Sequence, residues 1–306
     1  MTLKHSLIVP CYNEEGSVEK FLRETKDAMK SYTDSYEIIF INDGSNDSTP
    51  KKLREIFANN KDMNIKVINF SRNFGKEAAM YAGFTQAVGE YITIIDSDLQ
   101  QDPVYVVEMA HILDNNPDCD MVAAYQAHRK EGKLISACKS RFYKVITKMS
   151  GIDFVSDASD FRTLRKCVAD TIIALPEYHR FSKGIFSWVG YNTISMPYEV
   201  RERENGETKW NTKKLISYAF EGIMAYTDMP LKLPFYLGAF LLVLCVVWLL
   251  AGYIVSSTAC FVGSLLMLCL GIIGSYLGKV HTQVKDRPIF IAKEILTYED
   301  NQKSDN

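Results

Sequence analysis

Short apolar runs alternate with longer stretches of helical periodicity through the first half of the chain. The runs are four to six residues long and rich in Ile, Val, Phe and Tyr. We predict five β-strands from them: Leu7–Pro10, Glu37–Asn42, Lys66–Phe70, Tyr91–Ile95 and Met121–Tyr125. The predicted intervening helices are Ser17–Ser31, Thr49–Asn59 and Lys76–Val88. Because β and α units alternate, we predict an α/β fold with a mainly parallel sheet and helices on both faces.

A long uncharged stretch in the last third of the chain predicts a pair of membrane-spanning helices. No Asp, Glu, Lys or Arg occurs among the 46 residues from Leu233 to Gly278, and two spans need ~20 residues each. We place the spans near Pro234–Val255 and Ala259–Leu277, in a two-helix transmembrane hairpin over residues 232–280. A buried helical hairpin is the alternative.

The charges around this hairpin predict its orientation. Lysine and arginine flank both of its ends, whereas its connecting loop is uncharged. By the positive-inside rule, both termini and the N-terminal domain are cytoplasmic, with residues 281–306 as a C-terminal tail. The predicted location is the cytoplasmic (inner) membrane, as a multi-pass protein in the lipid bilayer. An apolar stripe on residues 211–231 predicts an amphipathic juxtamembrane helix, although a helix packed on the N-terminal domain would show the same stripe.

Composition and missing motifs exclude several functions. The net charge of −2 over 306 residues argues against a nucleic-acid binder, which normally carries a basic excess. The seven cysteines form no C-x-x-C pair, so we expect reduced thiols and no disulfide framework. The chain has no P-loop, no strand-linked G-x-G-x-x-G and no G-x-S-x-G elbow, which argues against ATP hydrolysis and dinucleotide redox chemistry.

An acidic pair follows the fourth predicted strand. Asp96 and Asp98, separated by Ser97, come directly after Tyr91–Ile95. Ligands of α/β folds bind at the C-terminal ends of strands, and Mg²⁺ and Mn²⁺ prefer carboxylate oxygens. The pair therefore predicts a metal site that bridges to substrate phosphates. A plain turn is the alternative, because Asp and Ser are common turn residues.

Two further polar loops follow predicted strands. Residues 9–15 follow the first strand and residues 42–49 follow the second. The carboxyl ends of parallel strands meet at one edge of a sheet, so these loops and residues 96–98 open on the same edge. A nucleotide would bind there.

Six motifs, in order, resemble those of glycosyltransferase family 2. They are Pro10-Cys11-Tyr12-Asn13-Glu14-Glu15, Asn42-Asp43-Gly44-Ser45, Asn73-Phe74-Gly75-Lys76, Asp96-Ser97-Asp98-Leu99-Gln100, Ser159-Asp160-Phe161-Arg162 and Arg201–Asn211. With the predicted hairpin, the chain resembles the polyisoprenyl-phosphate glycosyltransferase branch, which includes dolichyl-phosphate mannose synthase and bactoprenol glucosyltransferase. The resemblance covers essentially the whole chain.

The resemblance implies a GT-A catalytic domain over residues 1–210, with a UDP-sugar donor and a polyprenyl (undecaprenyl) phosphate acceptor. It implies that the donor is held by Pro10, Tyr12, Asn13, Glu14, Asp43, Lys76, Asp96 and Ser97. It also implies a Mg²⁺ or Mn²⁺ site formed by Asp96, Asp98 and Gln100. Asp98 and Asp160 are then catalytic, with Asp160 beside the acceptor. Relatives also suggest a homo-oligomer, such as a tetramer.

The chemistry of a nucleotide sugar fits these roles. Breaking its anomeric carbon–oxygen bond leaves negative charge on the diphosphate, which a divalent cation stabilises. Lys209, Arg201 and Arg203 are candidates to clamp phosphates, with solvated surface charges as the alternative. The acceptor phosphate is largely a dianion, because its second pKa is about 6. Asp160 would therefore orient the acceptor or remove a proton from the minor monoanion.

Basic residues before Asp160 are candidates for acceptor binding. Arg129 and Arg141 lie in a stretch rich in Lys and Arg, which could meet a lipid phosphate or anionic headgroups. A solvated basic helix is the equal alternative.

The leading hypothesis is an inverting, metal-dependent hexosyltransferase that moves one glucose from UDP-glucose to polyprenyl phosphate in cell envelope glycosylation. The Gln-x-x-Arg-Trp motif of processive synthases is absent, which favours a single transfer. The alternatives are transfer of N-acetylglucosamine or another sugar, and transfer to a membrane glycerolipid. A non-enzymatic alternative is a nucleotide-sugar-binding partner of a flippase.

Overall fold

One eight-stranded sheet organises the part of the chain that the computed structural model describes, residues 3–127, 158–201 and 255–298. Its strands are β1 (His5–Cys11), β2 (Tyr36–Asn42), β3 (Asn64–Phe70), β4 (Tyr91–Ile94), β5 (Met121–Gln126), β6 (Ala158–Arg165), β7 (Thr193–Tyr198) and β8 (Ala292–Leu296). The helices of the same residues are α1 (Val18–Met29), α2 (Thr49–Asn59), α3 (Lys76–Gln86), α4 (Val104–Asn115), α5 (Lys166–Ala174), α6 (Ser182–Trp188) and α7 (Val255–Val284).

The sheet is mixed but mainly parallel. Its strand order is β7-β5-β6-β4-β1-β2-β3-β8. The central strands β4, β1, β2 and β3 run parallel to one another, and β5 pairs in parallel with β7. Strand β6 is antiparallel to both β4 and β5, and β8 is antiparallel to β3. The predicted α/β class with a mainly parallel sheet is confirmed.

Helices cover both faces of the central strands, which explains their continuous apolar sequences. Leu7 and Val9 of β1 belong to one buried cluster, with residues of α1 and α4. Ile8 belongs to a second cluster on the other face, with residues of α3 and α5. Because successive strand residues point to opposite faces, a strand covered on both sides is apolar at every position.

The edge strand β8 comes from the segment that the sequence analysis assigned to a C-terminal tail. It lies against β3, with Leu296 opposite Val67. The Glu294 carboxylate accepts hydrogen bonds from Arg54 Nε at 3.0 Å and Asn69 Nδ2 at 2.8 Å. Polar side chains therefore anchor this strand, and its short sequence lacks the apolar run that reveals a central strand.

The structure corrects the predicted location. The first predicted span, Pro234–Val255, and the juxtamembrane helix over residues 211–231 fall almost wholly outside the described residues. The second span, Ala259–Leu277, falls within α7. Among residues 3–127, 158–201 and 255–298, no helix is long and apolar enough to cross a membrane.

This finding contradicts the predicted multi-pass location in the cytoplasmic membrane. The prediction rested on a count of uncharged residues, and that count included the serines, threonine and glycines of α7. Near the end of α7, the Gln283 side chain donates to the Pro176 carbonyl at 2.7 Å and accepts from the Tyr178 amide at 2.9 Å. These bonds join the helix to the loop after α5.

A buried ion pair between the adjacent strands β2 and β3 predicts a large loss of stability when one partner is removed. Lys66 Nζ lies 2.9 Å from Glu37 Oε2, and the Glu37 side chain is fully buried. We expect Lys66→Met to lower the free energy of unfolding by about 3–5 kcal/mol, because it leaves a buried carboxylate without its counter-charge. Urea unfolding measures this loss. Lys51→Met, at an exposed lysine of α2, is the control and should change stability by less than about 0.5 kcal/mol. An equal effect of the two variants would contradict the prediction.

Candidate active site

The loops after β1, β2 and β4 lie together at the C-terminal edge of the sheet. The Asn13 amide donates to Ser45 Oγ at 3.0 Å, and Asn13 Oδ1 accepts from the Asn46 amide at 2.9 Å. Ser97 Oγ donates to the Pro10 carbonyl at 3.4 Å. Asn13 has a φ of 56°, a left-handed conformation that Asn tolerates better than most residues. The structure therefore brings the three predicted polar loops to one place.

Glu14 ties the first loop to the helices behind it. Its amide donates to Thr49 Oγ1 at 2.8 Å, and its carboxylate accepts from Ser17 Oγ at 2.9 Å. Tyr12 is partly exposed on the same loop. These bonds therefore fix Glu14 within the first loop, and contact of the candidate donor-binding residues with a nucleotide stays a prediction.

Asp43 holds the loop that leads into α3. Its side chain is almost fully buried, and its carboxylate accepts hydrogen bonds from the Phe74 amide at 2.7 Å and the Gly75 amide at 3.0 Å. Burial raises the pKa of Asp43, and the two amide bonds only partly offset that rise. Asp43 thereby fixes the backbone that precedes Lys76, a task that the sequence did not indicate.

Gly44 is required where the second loop crosses this segment. Its φ is +63°, and a Cβ atom there would overlap the backbone of Arg72 and Asn73. Gly190 has a similar φ of +70°, but a Cβ atom there would meet nothing within 4 Å. Substitutions at the two glycines can therefore be compared to distinguish the cost of backbone strain from the cost of steric overlap.

We expect Gly44→Ala to lower the free energy of unfolding by about 3 kcal/mol, since left-handed strain and overpacking add together. Gly190→Ala should cost only about 1–2 kcal/mol, from strain alone. Urea unfolding compares the two variants. If the predicted nucleotide site is formed by this loop, Gly44→Ala should also weaken binding of UDP, measured by titration calorimetry, because the loop moves. Equal losses of stability would show that the overlap at Gly44 is relieved without cost.

Lys76 joins two carboxylates at the centre of this edge. Its Nζ lies 2.7 Å from Asp96 Oδ1 and 3.2 Å from Asp160 Oδ2. The three residues come from the start of α3, the loop after β4 and strand β6. Burial alone would lower the pKa of Lys76, but the charges of Asp96 and Asp160 raise it above its ordinary value. Lys76 is therefore a permanent cation in this site.

Among the residues that the structure describes, one oxygen atom of Asp160 has no hydrogen-bond partner. Its Oδ1 is buried and accepts no hydrogen bond among the residues that the structure describes. Burial would raise the pKa of the Asp160 carboxyl. The charges of Lys76, Lys183 and Arg162 outweigh burial, so that pKa lies below its ordinary value. The group is an ionised carboxylate, and one of its acceptor atoms is unused by the described part of the chain.

Gln101 orients Asp96, although the sequence analysis named its neighbour Gln100. Gln101 Oε1 accepts from the Asp96 amide at 2.9 Å, and its Nε2 donates to Asp96 Oδ2 at 3.3 Å. Asp98 Oδ1 accepts from the Gln100 amide at 3.2 Å. Leu99 adopts a φ of 63° between them. This tight turn decides which of the two glutamines reaches Asp96, and the sequence does not specify that turn.

The donor set of this loop suits a hard divalent cation. Within the described ranges, no three acidic, histidine or cysteine side chains cluster as a complete metal site. Mg²⁺ is usually held by one or two carboxylates, with substrate phosphates and water completing its coordination. Asp96 and Asp98 supply two such carboxylates. The residues therefore fit a metal that binds together with a diphosphate.

Arg201, a candidate to clamp phosphates, lies beside the loop that follows β4, and its side chain is paired with carboxylates. Its guanidinium lies 2.6 Å from Glu24 Oε2 and also pairs with Asp102. Its amide donates to the Gln100 carbonyl at 3.1 Å. In the structure, Arg201 therefore joins the chain after β7 to the acidic loop. The other cationic candidates, Arg129, Arg141, Arg203 and Lys209, lie outside the described residues.

Comparison of the sequence with models of known families identifies the family to which the chain belongs. The family model described as Glycosyl transferase family 2 matches residues 6–172, more than half of the chain. The chain belongs to glycosyltransferase family 2. The predicted membership is therefore confirmed, and the protein is a glycosyltransferase.

Similar glycosyltransferases extend over nearly the full chain. The CsbB protein of Bacillus subtilis strain 168, provisionally named a glycosyltransferase, is 35% identical over 94% of this chain and 91% of its own. The prophage bactoprenol glucosyl transferase homolog of Escherichia coli K12 is 34% identical over 96% of this chain and 99% of its own.

A solved structure supports the GT-A-like fold. The glucosyl-3-phosphoglycerate synthase of Mycobacterium tuberculosis, crystallised with Mn²⁺, UDP and phosphoglyceric acid, aligns with a TM-score of 0.50 at 17% identity. The alignment covers 72% of this chain and 76% of the other. At this identity the likeness concerns the fold alone.

The glycosyltransferase site also contains charged residues that sequence reasoning missed. Arg162 is buried, its guanidinium lies 3.7 Å from the centre of the Phe186 ring, and burial lowers its pKa to about 10. Glu77 lies next to Lys76 and accepts two hydrogen bonds from Ser182. The sequence offered one signal for these residues, because Arg162 is a charged residue inside the motif Ser159-Asp160-Phe161-Arg162. Nothing in the sequence connects residue 77 with residue 182.

Proposed function

We propose that this glycosyltransferase moves one glucose residue from UDP-glucose to a polyprenyl phosphate, such as undecaprenyl phosphate, with inversion at the anomeric carbon. One observation carries the proposal: the carboxylates of Asp96 and Asp160 converge on the ammonium of Lys76 at the strand ends. Asp96 belongs to the candidate donor site and Asp160 to the candidate acceptor site. The similarity to a bactoprenol glucosyl transferase homolog supports glucose and a polyprenyl carrier.

The reaction balances without release of a proton when the acceptor is a dianion. A phosphate oxygen attacks the anomeric carbon while the bond from that carbon to the UDP oxygen breaks. The bonding electron pair leaves with UDP, which departs with one more negative charge than it carried in the donor. The acceptor phosphate becomes a singly charged diester. Attack from the face opposite UDP converts an α-linked donor into a β-linked product.

Stabilising the departing diphosphate is the principal task of the site. Mg²⁺ or Mn²⁺, held by Asp96 and Asp98 with Gln100 nearby, would neutralise charge on the diphosphate. Lys76 already lies beside Asp96 and adds a fixed positive charge at the same place. Charges that are in position before the reaction need no reorganisation during it, and such preorganisation is often the largest catalytic effect.

Asp160 would act on the acceptor side. Its lowered pKa makes it a weak base, and a dianionic acceptor needs no deprotonation. Its task is therefore to position the acceptor, together with the cations around it. Effective molarities of well-oriented groups are large, so positioning alone accounts for substantial rate enhancement.

Incubation of the full chain with labelled UDP-glucose and undecaprenyl phosphate tests the proposal. We expect a labelled lipid that releases glucose under mild acid, and release of UDP in equal amount. A panel of UDP-sugars, read by mass spectrometry, identifies the preferred donor, and diacylglycerol in place of the lipid phosphate tests a glycerolipid acceptor. Binding of UDP-glucose with no transfer to any lipid would refute the proposal and favour a nucleotide-sugar-binding partner protein.

A further inference from the structure

Three polar side chains lie next to one another across β2, β3 and β8, near the ends of β2 and β3. Asn42, the last residue of β2, is the register partner of Asn69 on β3. Asn69 in turn lies opposite Glu294 on the edge strand β8. Both asparagines are buried, with an exposed fraction of 3% each. Because an unpaired buried amide costs free energy, each of them needs hydrogen-bond partners at this place.

The hydrogen bonds between these side chains all run in one direction. Asn69 Nδ2 donates to Glu294 Oε2 at 2.8 Å, and Asn42 Nδ2 donates to Asn69 Oδ1 at 2.8 Å. Asn42 Oδ1 accepts from the Ser45 amide at 3.1 Å. Each asparagine therefore donates toward β8 and accepts from the side of the loop that follows β2.

Further bonds connect this series to the loop that follows β1. Ser45 Oγ accepts from the Asn13 amide at 3.0 Å, and Asn13 Oδ1 accepts from the Asn46 amide at 2.9 Å. Asn13 is a candidate donor-binding residue, and its φ of 56° needs such support. A continuous series of hydrogen bonds thus leads from β8 to the loops where a nucleotide would bind.

The charge of Glu294 fixes the direction of the series. The hydrogen bond from Arg54 lowers the pKa of the Glu294 carboxyl below its ordinary value, so the group is ionised. An ionised carboxylate only accepts hydrogen bonds, whereas an asparagine amide can present either its oxygen or its NH₂ group to a neighbour. Asn69 must therefore turn its NH₂ group toward Glu294 and its oxygen toward Asn42. Asn42 must then donate to Asn69, which leaves its oxygen for the Ser45 amide.

We propose that Glu294 is a positioning residue for the nucleotide-sugar donor: it sets the orientation of the Asn69 and Asn42 amides and thereby holds the loop after β2 in the conformation that binds UDP. This inference rests on the proposed function, since it requires that this loop bind the donor. Arg54 also binds Glu294 but lies outside the series. Its removal therefore distinguishes this positioning role from simple anchoring of the edge strand.

Titration calorimetry of the full chain with UDP, in the presence of Mn²⁺, tests the proposal. Glu294→Met should raise the UDP Kd at least about 5-fold, as for loss of a hydrogen bond, because nothing then fixes the orientation of the Asn69 amide. Glu294→Gln should stay within about twofold of the wild type, since its amide oxygen can accept from Asn69. Arg54→Met is the matched control. It removes the ion pair, 2.9 Å between Arg54 Nη2 and Glu294 Oε2, and should change the UDP Kd by less than about twofold.

A second pair of variants tests the direction of the hydrogen bonds. Asn42→Asp replaces the NH₂ group that faces Asn69 by an oxygen. Asn69 can bind this oxygen only by turning over, which brings its own oxygen against the Glu294 carboxylate. We therefore expect Asn42→Asp to raise the UDP Kd about 10-fold. Glu294→Gln should restore most of that affinity in the double variant, because its NH₂ group can donate to the turned Asn69.

The positioning role would be overturned by equal UDP Kd values for Glu294→Met and Arg54→Met. It would also be overturned if Asn42→Asp left the UDP Kd unchanged, or if Glu294→Gln failed to improve it. In each case the wild type still binds UDP and transfers glucose, so the proposed function stands. If the wild type binds no UDP, the proposed function fails and the positioning role fails with it. If Glu294→Met fails to fold, the Asn42→Asp and Glu294→Gln variants still decide the question.

Discussion

Replacing Asp96 or Asp98 by asparagine is expected to lower turnover by at least about 10²-fold, since losing one preorganised electrostatic element at a developing charge costs ~3 kcal/mol. Asp96 is tied to Lys76 Nζ at 2.7 Å and is oriented by Gln101. An asparagine preserves the shape of either side chain but halves the carboxylate charge that the pair offers to a divalent cation. Steady-state rates of glucosyl transfer measure the loss.

Removal of the metal should give the same result by another route. EDTA should abolish transfer by the wild type, and Mn²⁺ or Mg²⁺ should restore it. Asp170→Asn is the matched control, because Asp170 is an exposed carboxylate that pairs with Lys166 on α5. Thermal unfolding of the three variants separates loss of turnover from loss of fold. Full activity of Asp96→Asn and Asp98→Asn in EDTA would refute the metal assignment.

The central strands were predictable because both of their faces are buried. Leu7, Ile8 and Val9 form a continuous apolar run for that reason. Strand β6 escaped prediction because it carries polar and charged residues, including the buried Arg162. The aromatic ring that accommodates this charge, Phe186, is distant in sequence. Local patterns cannot reveal a strand whose polar residues are stabilised by remote partners.

The candidate site also has features that the sequence predicts and features that it does not. The polar loops were predictable because parallel strands bring their C-terminal ends to one edge. The sequence could not indicate that Lys76 bridges Asp96 and Asp160, because that contact depends on the order of strands in the sheet. The membrane prediction was wrong: it counted uncharged residues, and in the described part of the chain no helix is long and apolar enough to cross a membrane.

Asp160→Asn is expected to lower turnover by about 10²-fold, the effect of misplacing a reacting group by ~1 Å. The carboxylate of Asp160 balances the charges of Lys76, Lys183 and Arg162. Without its negative charge, the positive charge of these residues is no longer compensated, and we expect the acceptor phosphate to lose its alignment with the anomeric carbon. Asp118→Asn, at an exposed aspartate after α4, is the control.

The dependence of this deficit on pH distinguishes positioning from proton transfer. The lowered pKa of Asp160 keeps it ionised from pH 6 to 8.5, so its own titration does not affect the rate in that range. The rate of the wild type should rise with pH as the acceptor passes its second pKa, about 6, and becomes a dianion. The profile of Asp160→Asn should run parallel and lie lower by the same factor throughout. If Asp160 instead removed a proton from the monoanion, the deficit would grow as pH falls toward 6, because the monoanion is then more abundant.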